Sequence, residues 1–216
     1  MKPVWLFDLD NTLHDAGRHI FPHINNAMTA YMAERLSLSI EDAHALRGHY
    51  WTRYGATLHG MVRHHKVRPG DFLEATHRFT DLASMLVFDK ALLRHLRKLP
   101  GRKYIFSNAP RSYVDAILRL SGLDRVMDGS FAVEDLRYQP KPAVVGYQCV
   151  LRHLRVRASD CIMVEDTAKN LLPAKRLGMR TVWITPGSQP RPVWVDAQLR
   201  SARALKAPPA SASGRR

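Results

Sequence analysis

Five short apolar runs punctuate the chain: Val4–Phe7, Lys103–Phe106, Ser130–Val133, Cys161–Val164 and Thr181–Ile184. Each is rich in β-branched or aromatic residues and ends in polar or turn-forming ones, the pattern of a buried strand. Helical spacing fills the intervals after the second strand. Ser112–Leu120 places Tyr113, Ile117 and Leu120 on one stripe and stops at Gly122; Ala143–Leu154 reads as a helix, and so does Ala168–Leu177, which ends at Gly178. Strands alternating with helices predict an α/β fold, a parallel sheet covered on both faces.

The interval from Ile20 to Leu99 does not alternate. Its apolar positions predict helix after helix, at Ile24–Leu36, Ile40–Tyr54, Pro69–Thr76 and Lys90–Leu96, with Ser39 and Asp89 as N-caps. An all-helical insertion after the first strand is placed to cover a site at the carboxyl edge of the sheet. Beyond Gly187 the prolines Pro190 and Pro192 break the pattern; Trp194–Val195 suggests an edge strand and Gln198–Leu205 a last helix. Lys206–Arg216 is rich in Ala, Pro, Ser and Arg and is expected to be a disordered basic tail.

Composition narrows the class. At 216 residues and 45% hydrophobic content, the chain can core one domain with a modest insertion. No apolar run approaches the roughly 20 residues that span a bilayer, so no membrane association is expected. Met1 leads almost directly into the first strand, without a basic segment and apolar stretch before it, so a signal peptide is not expected and a cytoplasmic location is. Cys149 and Cys161 sit in apolar contexts and read as buried free thiols. The net charge of +14 raises nucleic-acid binding, but the arginines are scattered, with no basic block interleaved with aromatics. A solvated basic surface is the first reading, and attraction of an anionic small substrate the second.

The chemistry concentrates at the strand ends. Val4–Phe7 runs into Asp8-Leu9-Asp10-Asn11-Thr12-Leu13. Two carboxylates this close stay ionised only beside a cation, or else one holds a proton. The pair therefore suggests a hard metal ion or a nucleophile with an acid/base partner, while Asp-Asn alone is equally a polar turn. Ser107-Asn108-Ala109 follows the second strand and offers a hydroxyl and backbone N–H groups to an anion. Gln139-Pro140-Lys141-Pro142 holds a lysine on stiff backbone, where it is expected to open the next helix. A cation there opposes the helix dipole, which implies an anionic partner. Glu165-Asp166, followed by Thr167 and Asn170, ends the fourth strand with oxygen donors suited to Mg²⁺.

In this order, Asp-x-Asp-x-Thr, Ser, Lys-Pro and Glu-Asp resemble the haloacid dehalogenase-like hydrolase superfamily over about Lys2 to Leu205. The resemblance implies a Rossmann-like core at 1–14 and 100–205 with a helical cap at 15–99. It implies Asp8 as a nucleophile forming an aspartyl-phosphate, and Asp10 as general acid and then base. Ser107 and the Asn108 N–H would bind the phosphoryl oxygens, and Lys141 would neutralise their charge. Mg²⁺ would be held by the Asp8 side chain, the Asp10 carbonyl and Asp166, with Thr12, Glu165 and Asn170 as outer partners.

Within the predicted cap, Tyr54-Gly55-Ala56-Thr57-Leu58-His59-Gly60 resembles the pyrimidine 5′-nucleotidase branch, as does Phe106-Ser107-Asn108-Ala109. Serine stands at 107 where that branch often has threonine, and the hydroxyl is kept. The branch implies a pyrimidine nucleoside 5′-monophosphate, UMP or CMP, as substrate, with Tyr50, Arg53, Tyr54 and His59 as cap contacts. Another small phosphate ester, such as phosphoglycolate or a sugar phosphate, is the alternative. A catalytically idle nucleic-acid-binding protein is the alternative of a different class. The chain is expected to act as a monomer or homodimer.

Overall fold

The computed structural model describes residues 2–207; nearly all of the tail expected to be disordered lies outside them. The chain begins with β1 (Val4–Phe7) and passes into helices α1 (Ile20–Leu36), α2 (Ile40–Tyr54), α3 (Thr57–His65), α4 (Pro69–Thr76), α5 (Leu82–Met85) and α6 (Lys90–Lys98). Then follow β2 (Arg102–Phe106), α7 (Arg111–Ser121), β3 (Gly129–Phe131), α8 (Val144–Leu154), β4 (Cys161–Glu165), α9 (Ala168–Arg176), β5 (Arg180–Ile184) and β6 (Ala197–Leu199).

The six strands form one parallel sheet in the order β3-β2-β1-β4-β5-β6. This is the Rossmann-like α/β fold that the alternation predicts. The period of two divides each strand between two cores. Trp5 and Phe7 share one core with Ile105, Ile162 and Val164, closed by Leu92 and Leu96 of α6 and Val114 and Ile117 of α7. Val4 and Leu6 share the other with Cys161 and Met163, closed by Tyr147 and Val150 of α8 and Leu171 and Ala174 of α9. A third core, with Met32, Tyr50, Met61 and Phe72, lies among α1–α4. Among the described residues no helix is long and apolar enough to cross a membrane.

The helices show local reasons for their bounds. The Ser39 hydroxyl accepts from Asp42 N–H at 3.0 Å, and the Asp89 carboxylate from Ala91 N–H at 2.8 Å, so both anticipated N-caps form. Helix α1 starts at Ile20 rather than Ile24, because Pro22 falls in the first turn, where its missing N–H would have no partner anyway. Helix α3 is absent from the sequence reading: its N-cap, Ala56, has no side-chain acceptor to announce it. The edge strand lies at Ala197–Leu199, not Trp194–Val195, and Gln198–Leu205 holds a single 3-10 turn at Ala202–Ala204 in place of a helix. Trp194 is used differently: its indole N–H donates to the Ala168 carbonyl at the start of α9. The free thiols are as expected in pairing, with Cys161 buried and Cys149 half-buried.

Two glycines of the helical segment are there for contrasting reasons. Gly60 packs flat beneath Tyr50; a Cβ on it would stand 2.1 Å from the ring. Gly48, inside α2, has nothing within 4 Å of an added Cβ. Gly60→Ala should lower stability by about 1–3 kcal/mol through overpacking. Gly48→Ala should raise it by about 0.5–1 kcal/mol through helix propensity. Urea denaturation midpoints moving the same way for both would show that Tyr50 does not constrain Gly60.

Candidate active site

The strand order places β1 between β2 and β4, and the chain reverses its direction of travel across the sheet there. A crevice at the carboxyl ends of such neighbours is where open α/β sheets bind ligands. Two hydrogen bonds carry the ladder past the strand ends and fix the first residues of that crevice. Asp8 N–H donates to the Val164 carbonyl and Ser107 N–H to the Phe131 carbonyl, each at 2.9 Å. Asp8, Ser107 and Glu165 are thereby set side by side, all buried. Above them a cavity of about 1050 Å³ opens between the sheet edge and the helical segment.

Asp8 is held on both oxygens. The Thr12 hydroxyl donates to Oδ2 at 2.8 Å, and Lys141 Nζ to Oδ1 at 2.7 Å. The same ammonium donates to Glu165 Oε2 at 2.6 Å, and Glu165 Oε1 accepts the Thr167 N–H at 3.2 Å. Lys141 does not open a helix, as its place in the sequence suggested; it stands in the turn before Ala143, the N-cap of α8. Its anionic partners are the Asp8 and Glu165 side chains. The Asn108 side chain pins this turn to the end of β2: Oδ1 accepts Lys141 N–H at 2.7 Å and Nδ2 donates to the Lys141 carbonyl at 3.0 Å. Ser107 Oγ accepts the Ala109 N–H at 3.1 Å.

Asp10 lies in a different setting. The Tyr113 hydroxyl donates to its Oδ1 at 2.5 Å, and His14 Nε2 stands 3.0 Å from the same oxygen. Oδ2 has no hydrogen bond among the described residues. Neither Tyr113 nor His14 was a candidate from sequence. Tyr113 was counted as a core position of α7, and His14 is four residues beyond Asp10 in the loop after β1.

The charge balance of this floor is negative. Asp8, Asp10, Glu165 and Asp166 surround one ammonium. Burial, and then the Glu165 charge, push Asp8 up to about 7, despite Lys141. Burial likewise pushes Glu165 up to about 7, against Lys141 and together with Asp166. Asp166 is raised by burial and by Asp8. Burial alone would lower Lys141, but the two carboxylates outweigh it and the ammonium is held above its ordinary value. Carboxylate oxygens of Asp8, Glu165 and Asp166 lie within 4.8 Å of one another. A hard divalent cation fits this donor set and its surplus of negative charge. Glu165 is engaged through both oxygens by Lys141 and Thr167. The Asp166 carbonyl accepts the Trp183 indole N–H at 2.6 Å, which orients the acidic loop. The Asn170 carbonyl accepts from Tyr147, and its N–H donates to Thr167, so it braces the same loop.

The four cap candidates separate. Arg53 and Tyr54 line the cavity, with Trp51 beside them. Tyr50 does not; it is buried in the helical core with its hydroxyl 2.7 Å from His65 Nε2. His59 is also outside the cavity lining, with Nε2 3.3 Å from the Tyr138 carbonyl. Gly55 caps α2 at φ +78, and a Cβ there would meet Pro142 at 3.2 Å, so the end of α2 rests on the lysine turn.

A family model described as haloacid dehalogenase-like hydrolase matches residues 4–178. The chain is similar to validoxylamine A 7′-phosphate phosphatase of Streptomyces hygroscopicus subsp. limoneus, 24% identical over 86% of each chain. It is similar to phosphoglycolate phosphatase of Colwellia psychrerythraea, 26% identical over 86% of this chain and 85% of that one. Among solved structures it resembles CbbY from Rhodobacter sphaeroides in complex with phosphate, with a TM-score of 0.67 and 20% identity, covering 96% of this chain and 97% of that one.

The raised carboxylates set a pH dependence. The folded state keeps protons on Asp8 and Glu165 that the unfolded chain releases near pH 4. Their contribution to stability is therefore present below about pH 4 and is lost as pH rises to about 7. In chelator, the melting temperature should fall across that window. Asp8→Asn should flatten the fall and melt higher than wild type at neutral pH. A wild-type curve that rises from pH 4 to 7 would contradict this assignment.

Proposed function

Because the chain belongs to the haloacid dehalogenase-like hydrolases, we propose that it is a phosphomonoesterase hydrolysing a small phosphate ester through an aspartyl-phosphate on Asp8. The observation that carries the reading is the unequal setting of two carboxylates on one cavity floor. Asp8 is gripped on both oxygens and aimed by Thr12 and Lys141. Asp10 is held on one oxygen and has the other free to carry a proton.

In this mechanism a carboxylate oxygen of Asp8 attacks phosphorus, and the bond to the leaving alkoxide breaks. Asp10 gives that alkoxide its proton. The same carboxylate then takes a proton from a water that attacks phosphorus, releasing phosphate and restoring Asp8. Ser107 and the Asn108 N–H hold the phosphoryl oxygens, while Lys141 offsets their growing charge. Asp8, the Asp10 carbonyl and Asp166 would hold Mg²⁺, which supplies charge stabilisation to the phosphoryl group. Glu165, Thr12 and Asn170 hold those residues in place. The helical segment, proposed as the cap at 15–99, closes the cavity and selects the leaving group; α1–α4, with their own core, form its compact part. Dissolved and cytoplasmic action fits such an enzyme.

Small non-nucleotide esters are the first substrate reading. Two of the four residues expected to contact a pyrimidine, Tyr50 and His59, do not line the cavity. Neither curated phosphatase reported above is named for a nucleotide. Pyrimidine nucleoside 5′-monophosphates remain the second reading, supported by two aromatic residues, Trp51 and Tyr54, that line the cavity together with Arg53.

Variant kinetics, chelation and a substrate screen test these statements. Asp8→Asn should reduce turnover to background, and chelation should do the same reversibly. Asp10→Asn should cost about 10²–10⁴-fold in kcat/KM on alkyl phosphates and much less on p-nitrophenyl phosphate, whose leaving group needs no proton. Equal losses in kcat/KM on both would remove Asp10 from protonating the leaving group. In a phosphate-release screen, phosphoglycolate and sugar phosphates should outperform UMP and CMP in kcat/KM. The reverse order, with Arg53→Ala impairing UMP more than a small ester, would establish the nucleotide reading instead.

A further inference from the structure

Arg47, on α2, lines the cavity from the helical side. It was not a candidate from sequence, where it is one arginine among many. Its Nη1 donates to the Asn25 side-chain oxygen at 2.8 Å, which orients the guanidinium from α1. Its Nε is buried and has no acceptor. No carboxylate among the described residues forms an ion pair with it.

The surroundings make this arrangement costly without a partner. Phe21, Ile24, Met28 and Phe72 also line this cavity, and Arg47 itself is half-buried. A buried donor without an acceptor forfeits about 1–3 kcal/mol, and more when it carries charge. The guanidinium cannot shed its proton to escape the cost. The other cavity cations are accounted for: Lys141 is shared by Asp8 and Glu165, whereas Arg53 and Lys169 are exposed to water. His77, also on the wall, is pushed down to about 4 by burial and is neutral, with Nδ1 committed to the Leu73 carbonyl. Arg47 is thus an oriented, half-buried cation on the cavity wall, and the carboxylates of the cavity floor form no ion pair with it.

We infer that Arg47, oriented by Asn25, binds a second anionic group on the leaving part of the substrate, a carboxylate or a second phosphate, while the transferring phosphoryl sits on the Asp8 floor. The inference rests on the phosphomonoesterase reading and sharpens it, since it names a substrate class with two anionic ends. An arginine suits either group, because its planar donors match two oxygens at once.

The test compares esters that differ only in that group: phosphoglycolate against 2-hydroxyethyl phosphate, and a sugar bisphosphate against its monophosphate. Wild type should favour the doubly anionic member of at least one pair by roughly 10- to 100-fold in kcat/KM, the size of one charged hydrogen-bonded contact. The pair that shows it identifies carboxylate or phosphate. Arg47→Met, which keeps the apolar stem, should collapse that ratio towards one, mainly through KM, and Arg47→Lys should restore part of it. A loss equal for both members would mean that Arg47 grips the transferring phosphoryl or only braces α1 against α2, and would overturn the inference. So would a wild-type preference for the singly anionic members.

A binding arm does not depend on turnover. Phosphonoacetate should raise the melting temperature of wild type more than its carboxamide does, and Arg47→Met should abolish the difference. No difference in wild type would reject the second-anion subsite. If no ester is hydrolysed but the phosphonate difference appears, the hydrolase reading fails and the subsite stands.

Discussion

Lys141 shares one ammonium between two buried carboxylates that belong to neighbouring strands, Asp8 at the end of β1 and Glu165 at the end of β4. Everything at the sheet edge is arranged around that sharing. Without the lysine, two carboxylates would face each other in a desolvated crevice with no counter-charge; losing the counter-charge of a buried ion pair typically costs about 3–5 kcal/mol. Without the carboxylates, the buried ammonium would have no counter-charge of its own. Even with all three in place, Asp10 and Asp166 leave the floor with more negative charge than the ammonium can offset. That surplus of negative charge fits a hard divalent cation beside the carboxylates of Asp8, Glu165 and Asp166.

The backbone makes this placement possible before any side chain is considered. Parallel pairing with β2 on one side and β4 on the other brings three strand ends to one line, and the ladder bonds to Val164 and Phe131 extend it into the loops. Asn108 then ties the lysine turn to the end of β2 through both atoms of its amide. Gly55 lets the end of α2 rest on Pro142 of that same turn. The helical segment is thus in contact with the turn that carries Lys141. At the other end of the segment, the chain enters and leaves where Asp15 N–H meets the Val87 carbonyl. In the proposed reading, leaving-group recognition and phosphoryl chemistry share one cavity but draw on different elements, Arg47 and Asn25 on the helical side, Asp8 and Lys141 at the sheet edge.

Much of the fold was legible in the sequence because a strand buried on both faces has a simple signature. Val4–Phe7 and Cys161–Val164 are short unbroken apolar runs, and each ends in a carboxylate that burial would otherwise exclude. β6 carried no such signature: an edge strand is half-buried along its length, so Ala197–Leu199 shows neither a run nor an alternation. Helix α3 was hidden for a local reason, since Ala56 cannot cap it, and its residues drew notice instead for the spacing of Gly55 and Gly60. The catalytic candidates Asp8, Asp10, Ser107, Lys141 and Asp166 were visible because strand ends in this fold converge, so residues far apart in sequence can be assigned to one edge from the pattern alone.

The sequence by itself determined the sheet, the insertion of helices after β1 and the chemistry-bearing residues at the strand ends, because these follow from periodicity and from carboxylates and a lysine placed at apolar boundaries. Only the tertiary structure decided which helical residues face that edge. It turned Tyr50 into a packing residue above Gly60, left His59 against the Tyr138 carbonyl, and brought Tyr113 and His14 to the same oxygen of Asp10. It also showed that no carboxylate among the described residues pairs with Arg47. The physical reason is that a helix presents several faces of similar composition, and which face meets the cavity depends on crossings between helices that no local pattern encodes.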